Sequence, residues 1–287
     1  MIGSAGLIQK KLRAISLLRE HRAVLVALSG GVDSAALLAI ACEALGSDNV
    51  LAVTGRSASV TDDEIEDARR VARQLSVRHE VVETLELERT EYRANAGDRC
   101  FHCRSELFEV LSRTAGQRGI DAIAYGAIVD DLGEDRPGME AARKMGILAP
   151  LLDASIGKDD VRALANSFEL HVHEKPASPC LASRIPVGTE VTVDRLRAVE
   201  HAEAALRGLR FRQFRVRHHG EIARIELGVG EVDRLIDPGL TAEVVRAIKD
   251  AGFRFVVVDL EGYRGGGQIA GRTERLYSIG PTRESGQ

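Results

Sequence analysis

The chain has 287 residues, of which 44% are hydrophobic and 29% charged, a balance typical of soluble globular proteins. No apolar run approaches the roughly 20 residues that a membrane helix needs, and the N-terminal segment lacks the features of a signal peptide. We therefore expect a cytoplasmic protein without membrane contact. The net charge of −4 argues against a nucleic-acid partner, and the four cysteines are not expected to form structural disulfides.

The first half of the chain alternates between short apolar runs and amphipathic helical stripes. The run at 23–28 predicts a strand that is buried on both faces of a parallel sheet. The other predicted elements are helices at 8–20, 33–45 and 105–117, a helix behind a capping-box sequence at 61–64, and strands at 50–54, 79–82 and 121–126. This alternation predicts an α/β domain with a doubly wound parallel sheet, assigned to residues 1–175.

The pattern changes near Pro176. The predicted elements that follow are a helix around 196–206, strands at 213–217 and 223–227 with 218–220 at their turn, a helix at 241–250 and a last strand at 253–259. They predict a smaller C-terminal α+β domain, residues 176–264. Residues 265–287 are rich in glycine and polar side chains, which predicts a disordered tail.

The sequence SGGVDS occupies residues 29–34, between the first predicted strand and its helix. Glycines there let backbone N–H groups approach an anion, and a helix N-terminus favours negative charge. Ser29 and Ser34 can donate to phosphate oxygens, and Asp33 can hold Mg²⁺. The lysine of a Walker P-loop is missing, so the usual cradle for β- and γ-phosphates is excluded. The alternative is a plain Gly-rich turn with an Asp N-cap.

Cys180 lies between Pro179 and Arg184 in an unusual segment, residues 175–186. A constrained loop beside a cation lowers a thiol pKa and favours the nucleophilic thiolate. The alternative is a small buried residue at a domain junction. Cys100 and Cys103 form a C-x-x-C pair, which taken alone is a zinc half-site, a redox pair, a pair of Fe–S ligands or no site.

Two charged pairs are further candidates. Arg215 and Arg217 alternate on one face of a predicted strand, which suits one anion held by guanidinium groups; a solvated charged face is the alternative. Asp130 and Asp131 follow the strand that ends at Gly126, at the edge where sites of α/β sheets lie. Either could bind Mg²⁺ or orient a substrate, or they cap a helix.

SGGVDS resembles the signature of the PP-loop ATP pyrophosphatases, which cleave ATP between the α- and β-phosphates and activate a substrate as its adenylate. Together with PCLASRIP at 179–186, it resembles the LarE family, the sulfur transferases that mature the nickel-pincer nucleotide cofactor of lactate racemase. The remaining matching segments are 99–104, 130–133, 136–138, 215–218, 223–226 and 259–264.

This resemblance implies an adenine nucleotide alpha hydrolase-like fold that uses ATP and Mg²⁺. The implied substrate is a pyridinium-3,5-dicarboxylate mononucleotide, whose carboxylates become thiocarboxylates. Residues assigned to nucleotide and substrate binding are Ser29, Gly30, Gly31, Asp33, Ser34, Thr54, Gly126, Arg184, Arg215 and Arg217. Arg215 and Arg217 match positions suited to the substrate phosphate.

The resemblance also implies two versions of the sulfur chemistry. Cys180 matches the cysteine that attacks the adenylate and, in the single-cysteine version, gives up its sulfur to become dehydroalanine. In the other version, Cys100, Cys103 and Cys180 hold a [4Fe–4S] cluster with one iron free for sulfide or another sulfur source. We favour the cluster and expect a homo-oligomer. The competing hypotheses are another PP-loop enzyme, such as a tRNA thiolase, and a non-catalytic ATP-binding module.

Overall fold

A four-stranded parallel sheet forms the centre of the first part of the chain. The structure is a computed structural model that describes residues 4–133, 136–176 and 178–263. The strands are β1 (Val24–Ala27), β2 (Val50–Arg56), β3 (Arg78–Glu83) and β4 (Ala122–Ala124), in the order β3-β2-β1-β4. Each predicted strand of this part is therefore present. The tail predicted at 265–287 lies outside the described residues.

Helices cover both faces of this sheet. They are α1 (Ser4–Leu18), α2 (Val32–Leu45), α3 (Asp62–Gln74), α4 (Thr90–Ala94), α5 (Arg99–Arg118), α6 (Arg136–Lys144), α7 (Pro150–Asp153) and α8 (Lys158–Ser167). Val24 and Val26 pack in one apolar core with residues of α1, α2 and α8. Leu25 packs in a second core with residues of α5. Because successive side chains of a strand point to opposite faces, this division confirms the doubly wound α/β architecture.

A second, smaller sheet follows. Its strands are β5 (Phe214–His219), β6 (Ile222–Leu227) and β7 (Phe255–Val258), with β5 antiparallel and β7 parallel to β6. Helices α9 (Val193–Gly208) and α10 (Pro238–Asp250) cover the face that carries Val216 and Ile225. Short 3₁₀ segments lie at Ser47–Asn49, Glu86–Glu88, Val129–Gly133, Leu181–Arg184 and Val232–Ile236. The division of the chain into domains at residue 175 stays a prediction.

Local signals account for much of this structure, and two of the differences concern segments with candidate site residues. The capping box is formed as predicted, because Thr61 Oγ1 accepts from the Glu64 N–H and Glu64 accepts from the Thr61 N–H. Helix α5, however, begins at Arg99 and not near 105, so the C-x-x-C pair lies on a helix whose polar first turns carry no apolar stripe. Strand β5 runs through His219, which moves the turn to Gly220. Within the described ranges, no helix is long and apolar enough to cross a membrane.

The loop at residues 29–34, which we call the PP-loop, packs under α3 because residue 30 has no side chain. Gly30 has a φ of +75°, and a Cβ atom there would lie 2.3 Å from the backbone oxygen of Glu64. We predict that Gly30→Ala lowers the free energy of unfolding by roughly 2 kcal/mol or more, since backbone strain adds to a clash with backbone. Urea denaturation measures this loss.

The matched control is Gly116→Ala, inside α5, where an added Cβ meets no atom within 4 Å. That change should stabilise the protein by up to about 1 kcal/mol, because alanine is the better helix former. Equal effects of the two substitutions would contradict the close approach at Gly30.

Candidate active site

The PP-loop leaves the carboxyl end of β1, where the strand order changes direction between β1 and β4. Ligands of open parallel sheets bind at such a switch point. Gly126 follows β4 and borders the same place, because a Cβ atom on it would lie 2.8 Å from the Ser34 nitrogen. Gly31 is the N-cap residue of α2 and has an extended backbone. The structure therefore brings Gly30, Gly31 and Gly126 together around the start of α2.

The two serines of the PP-loop hold its shape. The Ser29 N–H donates to Ser34 Oγ at 3.1 Å, and the two hydroxyl oxygens lie 3.1 Å apart. Ser34 Oγ also donates to the Gly31 carbonyl at 3.1 Å. Both hydroxyls therefore lie where the loop turns into the helix, as a phosphate-binding loop requires.

Thr54, on β2, links the residue after β1 to strand β3. Its Oγ1 donates to the Leu28 carbonyl at 2.6 Å and lies 2.8 Å from His79 Nε2. Because Leu28 directly precedes the PP-loop, Thr54 fixes the approach of the chain to that loop. A direct contact between Thr54 and a nucleotide stays a prediction.

Asp33 faces a lysine that the sequence analysis did not assign. Lys158 Nζ donates to both Asp33 carboxylate oxygens, at 2.9 and 2.8 Å. The Lys158 N–H, at the start of α8, donates to Asp130 Oδ2 at 2.9 Å. Burial raises the pKa of Asp33; Lys158 opposes this shift, and Asp131 adds to it. Asp33 thus contacts the ammonium group of Lys158 and Asp130 its backbone N–H. Carboxylate oxygens of this kind also suit Mg²⁺.

A second unassigned lysine reaches the PP-loop from the other side. Lys175 Nζ donates to the Gly30 carbonyl at 3.0 Å and to Asp67 Oδ2 at 2.6 Å. Neither lysine could be paired from sequence, because each contact spans more than 100 positions of the chain. The only sequence signal for Lys175 is its place at the start of the Cys180 segment.

Cys180 lies on a loop that is attached to the same edge of the parallel sheet. The Leu181 N–H donates to the carbonyl of Ser59 at 3.0 Å, and Ser59 follows β2. The Arg184 guanidinium donates to the backbone carbonyls of Pro179 and Cys180 and to Ser183 Oγ. These contacts fold the loop into a compact turn.

The same arginine anchors the loop to the smaller sheet. Arg184 Nε and Nη2 donate to the two carboxylate oxygens of Glu203 at 2.9 and 3.1 Å, with both side chains buried. Glu203 also accepts from the Val216 N–H at 3.0 Å. The guanidinium is therefore engaged by protein groups, and its predicted contact with a nucleotide or substrate stays a prediction.

The three predicted cluster cysteines lie in one neighbourhood. Cys100 and Cys103 are on the first two turns of α5, and Cys103 and Cys180 pack against the same apolar cluster. Burial raises the pKa of the Cys103 thiol, and the charges of Glu86, Cys180 and Cys100 raise it further. Even so, in the part of the chain that the structure describes, no three His, Cys, Asp or Glu side chains are placed to hold a metal ion.

A buried polar network lies beside these cysteines. Glu86 Oε1 accepts from the Ser57 hydroxyl, and the Ser59 hydroxyl lies 2.7 Å from the Tyr92 hydroxyl. Burial raises the pKa of Tyr92, and the nearby Cys180 and Cys103 raise it further. Sequence reasoning missed this network, because serine and glutamate at these spacings carry no motif. The fourth cysteine, Cys42, packs against the core, and burial raises its pKa to about 11.

Arg215 and Arg217 are buried, at 2% and 4% exposure, so they do not form a solvated face. Arg217 donates to both carboxylate oxygens of Glu226 at 2.9 and 3.2 Å, and to the Ser183 carbonyl at 2.9 Å. Arg215 donates to the Tyr263 hydroxyl at 2.9 Å and lies over its ring. Binding of a substrate phosphate stays a prediction; substrate affinity of an Arg215→Ala variant is the measurement that checks it.

The raised pKa of Asp33 has a consequence for stability. Folding disfavours the ionised carboxylate, so the protein loses stability as pH rises through the pKa of Asp33. We predict that the melting temperature of Asp33→Asn rises relative to that of the wild type as the pH is raised above about 4, because only the wild type loses this stability. Asp121→Asn is the control. Its melting temperature should fall relative to that of the wild type as the pH is raised, because the Ala23 N–H lowers the pKa of Asp121. Parallel pH trends in the two variants would contradict the assignment.

Comparison with known proteins agrees with this geometry. Residues 8–106 match the family model of NAD synthase. The chain is 36% identical over 263 residues to pyridinium-3,5-bisthiocarboxylic acid mononucleotide synthase of Lactiplantibacillus plantarum, covering 91% of this chain and 94% of the relative. It is 39% identical over 242 residues to an uncharacterized protein of Synechocystis sp., covering 84% and 90%.

A more distant relative is the tRNA-specific 2-thiouridylase of Rickettsia conorii, 28% identical over 205 residues that cover 58% of this chain and 55% of the relative. The long match to the mononucleotide synthase includes the PP-loop and the Cys180 loop. The chain belongs to the family of the pyridinium-3,5-bisthiocarboxylic acid mononucleotide synthases, within the PP-loop superfamily.

Proposed function

We propose that this enzyme uses ATP to adenylate a carboxylate of pyridinium-3,5-dicarboxylate mononucleotide and then converts it to a thiocarboxylate. The observation that carries the proposal is the hydrogen bond from Leu181 to Ser59, which attaches the Cys180 loop to the sheet edge that bears the PP-loop. A phosphate-binding loop and a cysteine at one edge suit a reaction in which activation precedes attack by sulfur. The name of the relative from Lactiplantibacillus plantarum supports this choice of product.

Activation would take place at the PP-loop. The substrate carboxylate attacks the α-phosphorus of ATP, the bond to the bridging oxygen breaks, and pyrophosphate leaves. Backbone N–H groups at the start of α2 and the hydroxyls of Ser29 and Ser34 would hold the departing phosphates. Asp33 would hold Mg²⁺, which offsets the phosphate charge, and Lys158 would then be free to contact a phosphate oxygen.

Sulfur transfer would then proceed from Cys180. Its thiolate attacks the carbonyl carbon of the adenylate, AMP leaves, and a thioester joins the substrate to the Sγ atom. Loss of the Cα proton of Cys180 and cleavage of its Cβ–Sγ bond leave the thiocarboxylate on the substrate and dehydroalanine in the chain. Arg184 and Glu203 would hold the loop during both steps.

The proximity of Cys100 and Cys180 to Cys103 suits a second route, in which the sulfur comes from an external source such as sulfide. Three thiolates would hold a [4Fe–4S] cluster and leave one iron open to sulfide. The described side chains do not form a metal site as they stand. The two routes share the adenylation step and differ in the fate of Cys180.

Cys180→Ser separates adenylation from sulfur transfer. We predict that this variant forms AMP and pyrophosphate from ATP in the presence of the mononucleotide but makes no thiocarboxylate, because activation precedes the attack by sulfur. Nucleotide chromatography and product mass spectrometry measure the two steps. Cys42→Ser is the matched control and should retain both. ADP as the main product, or thiocarboxylate from Cys180→Ser, would contradict the proposal.

The mass of the chain after one turnover distinguishes the two routes. On the sacrificial route, we predict that Cys180 loses the mass of H₂S and that anaerobically prepared protein stays colourless. The cluster route instead gives brown protein, with about four iron and four sulfide ions per chain. Iron and sulfide assays together with peptide mass spectrometry decide between them, and single serine variants of Cys100 and Cys103 show whether each holds iron.

A further inference from the structure

Lys175 joins the two loops that the proposed reaction brings together. It lies at the start of the segment that leads to Cys180, yet its Nζ atom donates to the carbonyl of Gly30, inside the PP-loop, at 3.0 Å. The same atom forms an ion pair with Asp67 of α3 at 2.6 Å, and both side chains are partly buried, at 21% and 31% exposure. One cation thus contacts the nucleotide loop, helix α3 and the base of the cysteine segment.

The first turn of α3 makes the second connection between these loops. The backbone oxygen of Glu64 lies so close to Gly30 that a Cβ atom there would approach it to 2.3 Å. The Glu64 carboxylate accepts from the Thr61 N–H at 3.3 Å. Burial raises the pKa of Glu64, while hydrogen bonds from the Thr61 backbone and the Ser178 hydroxyl and the charge of Lys175 lower it. Ser178 lies two positions before Cys180, so the same turn contacts the PP-loop and the cysteine loop.

These contacts differ from an ordinary surface ion pair. A lysine that donates to a backbone carbonyl responds to any rotation of that peptide group, and the peptide groups of residues 29–31 are those that would face the phosphates of ATP. A shift of the Gly30 peptide therefore changes the hydrogen bond that holds Nζ, which is one of the contacts that anchor the start of the segment that carries Cys180. Arg184 fixes the far end of the same segment to Glu203, so Cys180 lies between these two anchors.

We propose that Lys175 is a positioning residue that couples occupation of the PP-loop to the position of Cys180. Binding of ATP rearranges the Gly30 peptide, Lys175 follows it, and the cysteine loop moves with Lys175. The thiol is thereby presented in step with the adenylate. The inference rests on the proposed function only in taking the PP-loop as the ATP site and Cys180 as the reacting thiol.

The test measures the reactivity of Cys180 itself. Full-length protein is treated with iodoacetamide with and without Mg²⁺ and ATP, without the mononucleotide, and alkylation of the Cys180 peptide is followed by mass spectrometry. In the wild type, we expect ATP to change the alkylation rate by about tenfold, as for one charge-assisted hydrogen bond. In Lys175→Met this response should fall below about twofold at saturating ATP. Lys175→Arg, which keeps the charge, should restore part of it.

Two further variants exclude a general loss of structure. Lys11 lies on helix α1 and forms an ion pair with Glu43 of α2. Lys11→Met removes this ion pair and should leave the response of Cys180 to ATP unchanged. Asp67→Asn keeps Lys175 but removes its anionic partner, so the response should be weakened. Circular dichroism checks that each variant is folded. If Lys175→Met keeps the full response at saturating ATP, or if wild-type Cys180 does not respond to ATP, the coupling is refuted.

The kinetics give an independent readout. We expect Lys175→Met to exchange pyrophosphate into ATP, in the presence of the mononucleotide, within about twofold of wild type, but to form thiocarboxylate at least about tenfold more slowly. Equal losses in both steps would assign Lys175 to the ATP site and overturn its positioning role. Failure of the proposed function would have a different signature, because thiocarboxylate would then form without Cys180 while the alkylation response to ATP could still be measured.

Discussion

The close contact between the PP-loop and the first turn of α3 is the constraint on which the rest of the site depends. It requires glycine at position 30, in a left-handed conformation, against the backbone oxygen of Glu64. Because the neighbour is backbone and not a flexible side chain, the loop and the helix cannot be displaced independently. The capping box at Thr61 and Glu64 fixes that turn, so it also fixes the backbone against which the PP-loop packs.

Buried ion pairs connect the cysteine loop to the smaller sheet. Arg184 with Glu203, and Arg217 with Glu226, are ion pairs in which every side chain is less than a tenth exposed. Such pairs contribute little net stability, since removing two charges from water offsets their attraction. Their donors are also used on backbone carbonyls of the cysteine loop, including that of Ser183. They therefore specify how one loop is seated between two sheets, and mispaired arrangements would leave a charge buried without compensation.

The sequence was informative wherever the signal is local. Apolar runs predicted the strands β1 to β4, the Thr61–Glu64 spacing predicted a helix start, and the glycines of residues 29–34 predicted a loop between β1 and α2. Hydrophobic periodicity and helix capping depend on residues that are close in sequence, so they can be recognised without knowing the fold. The start of α5 was missed for the same reason, because a polar helical turn held by tertiary contacts carries no local period.

Pairings across the chain could not be predicted. Lys158 meets Asp33, and Lys175 meets Gly30, only after crossovers bring distant segments to one sheet edge. Burial of Arg215 and Arg217 likewise depends on partners such as Glu226 and Tyr263, which a strand pattern does not identify. The cysteines illustrate both cases: the C-x-x-C spacing was visible, but its proximity to Cys180 and Glu86 follows from the packing of α5 beside the loop.

The hydrogen bonds that seat the cysteine loop come from the Leu181 N–H, the carbonyls of Pro179 and Cys180, and the side chains of Ser183 and Arg184. The Cys180 sulfur is not among these atoms. On the sacrificial route, a chain that has given up its sulfur would keep this frame and its PP-loop. Such a spent chain would still take up ATP and the mononucleotide, and would compete with fresh protein for both. The yield of the product in a cell would then depend on how quickly spent chains are removed, as well as on how many are made.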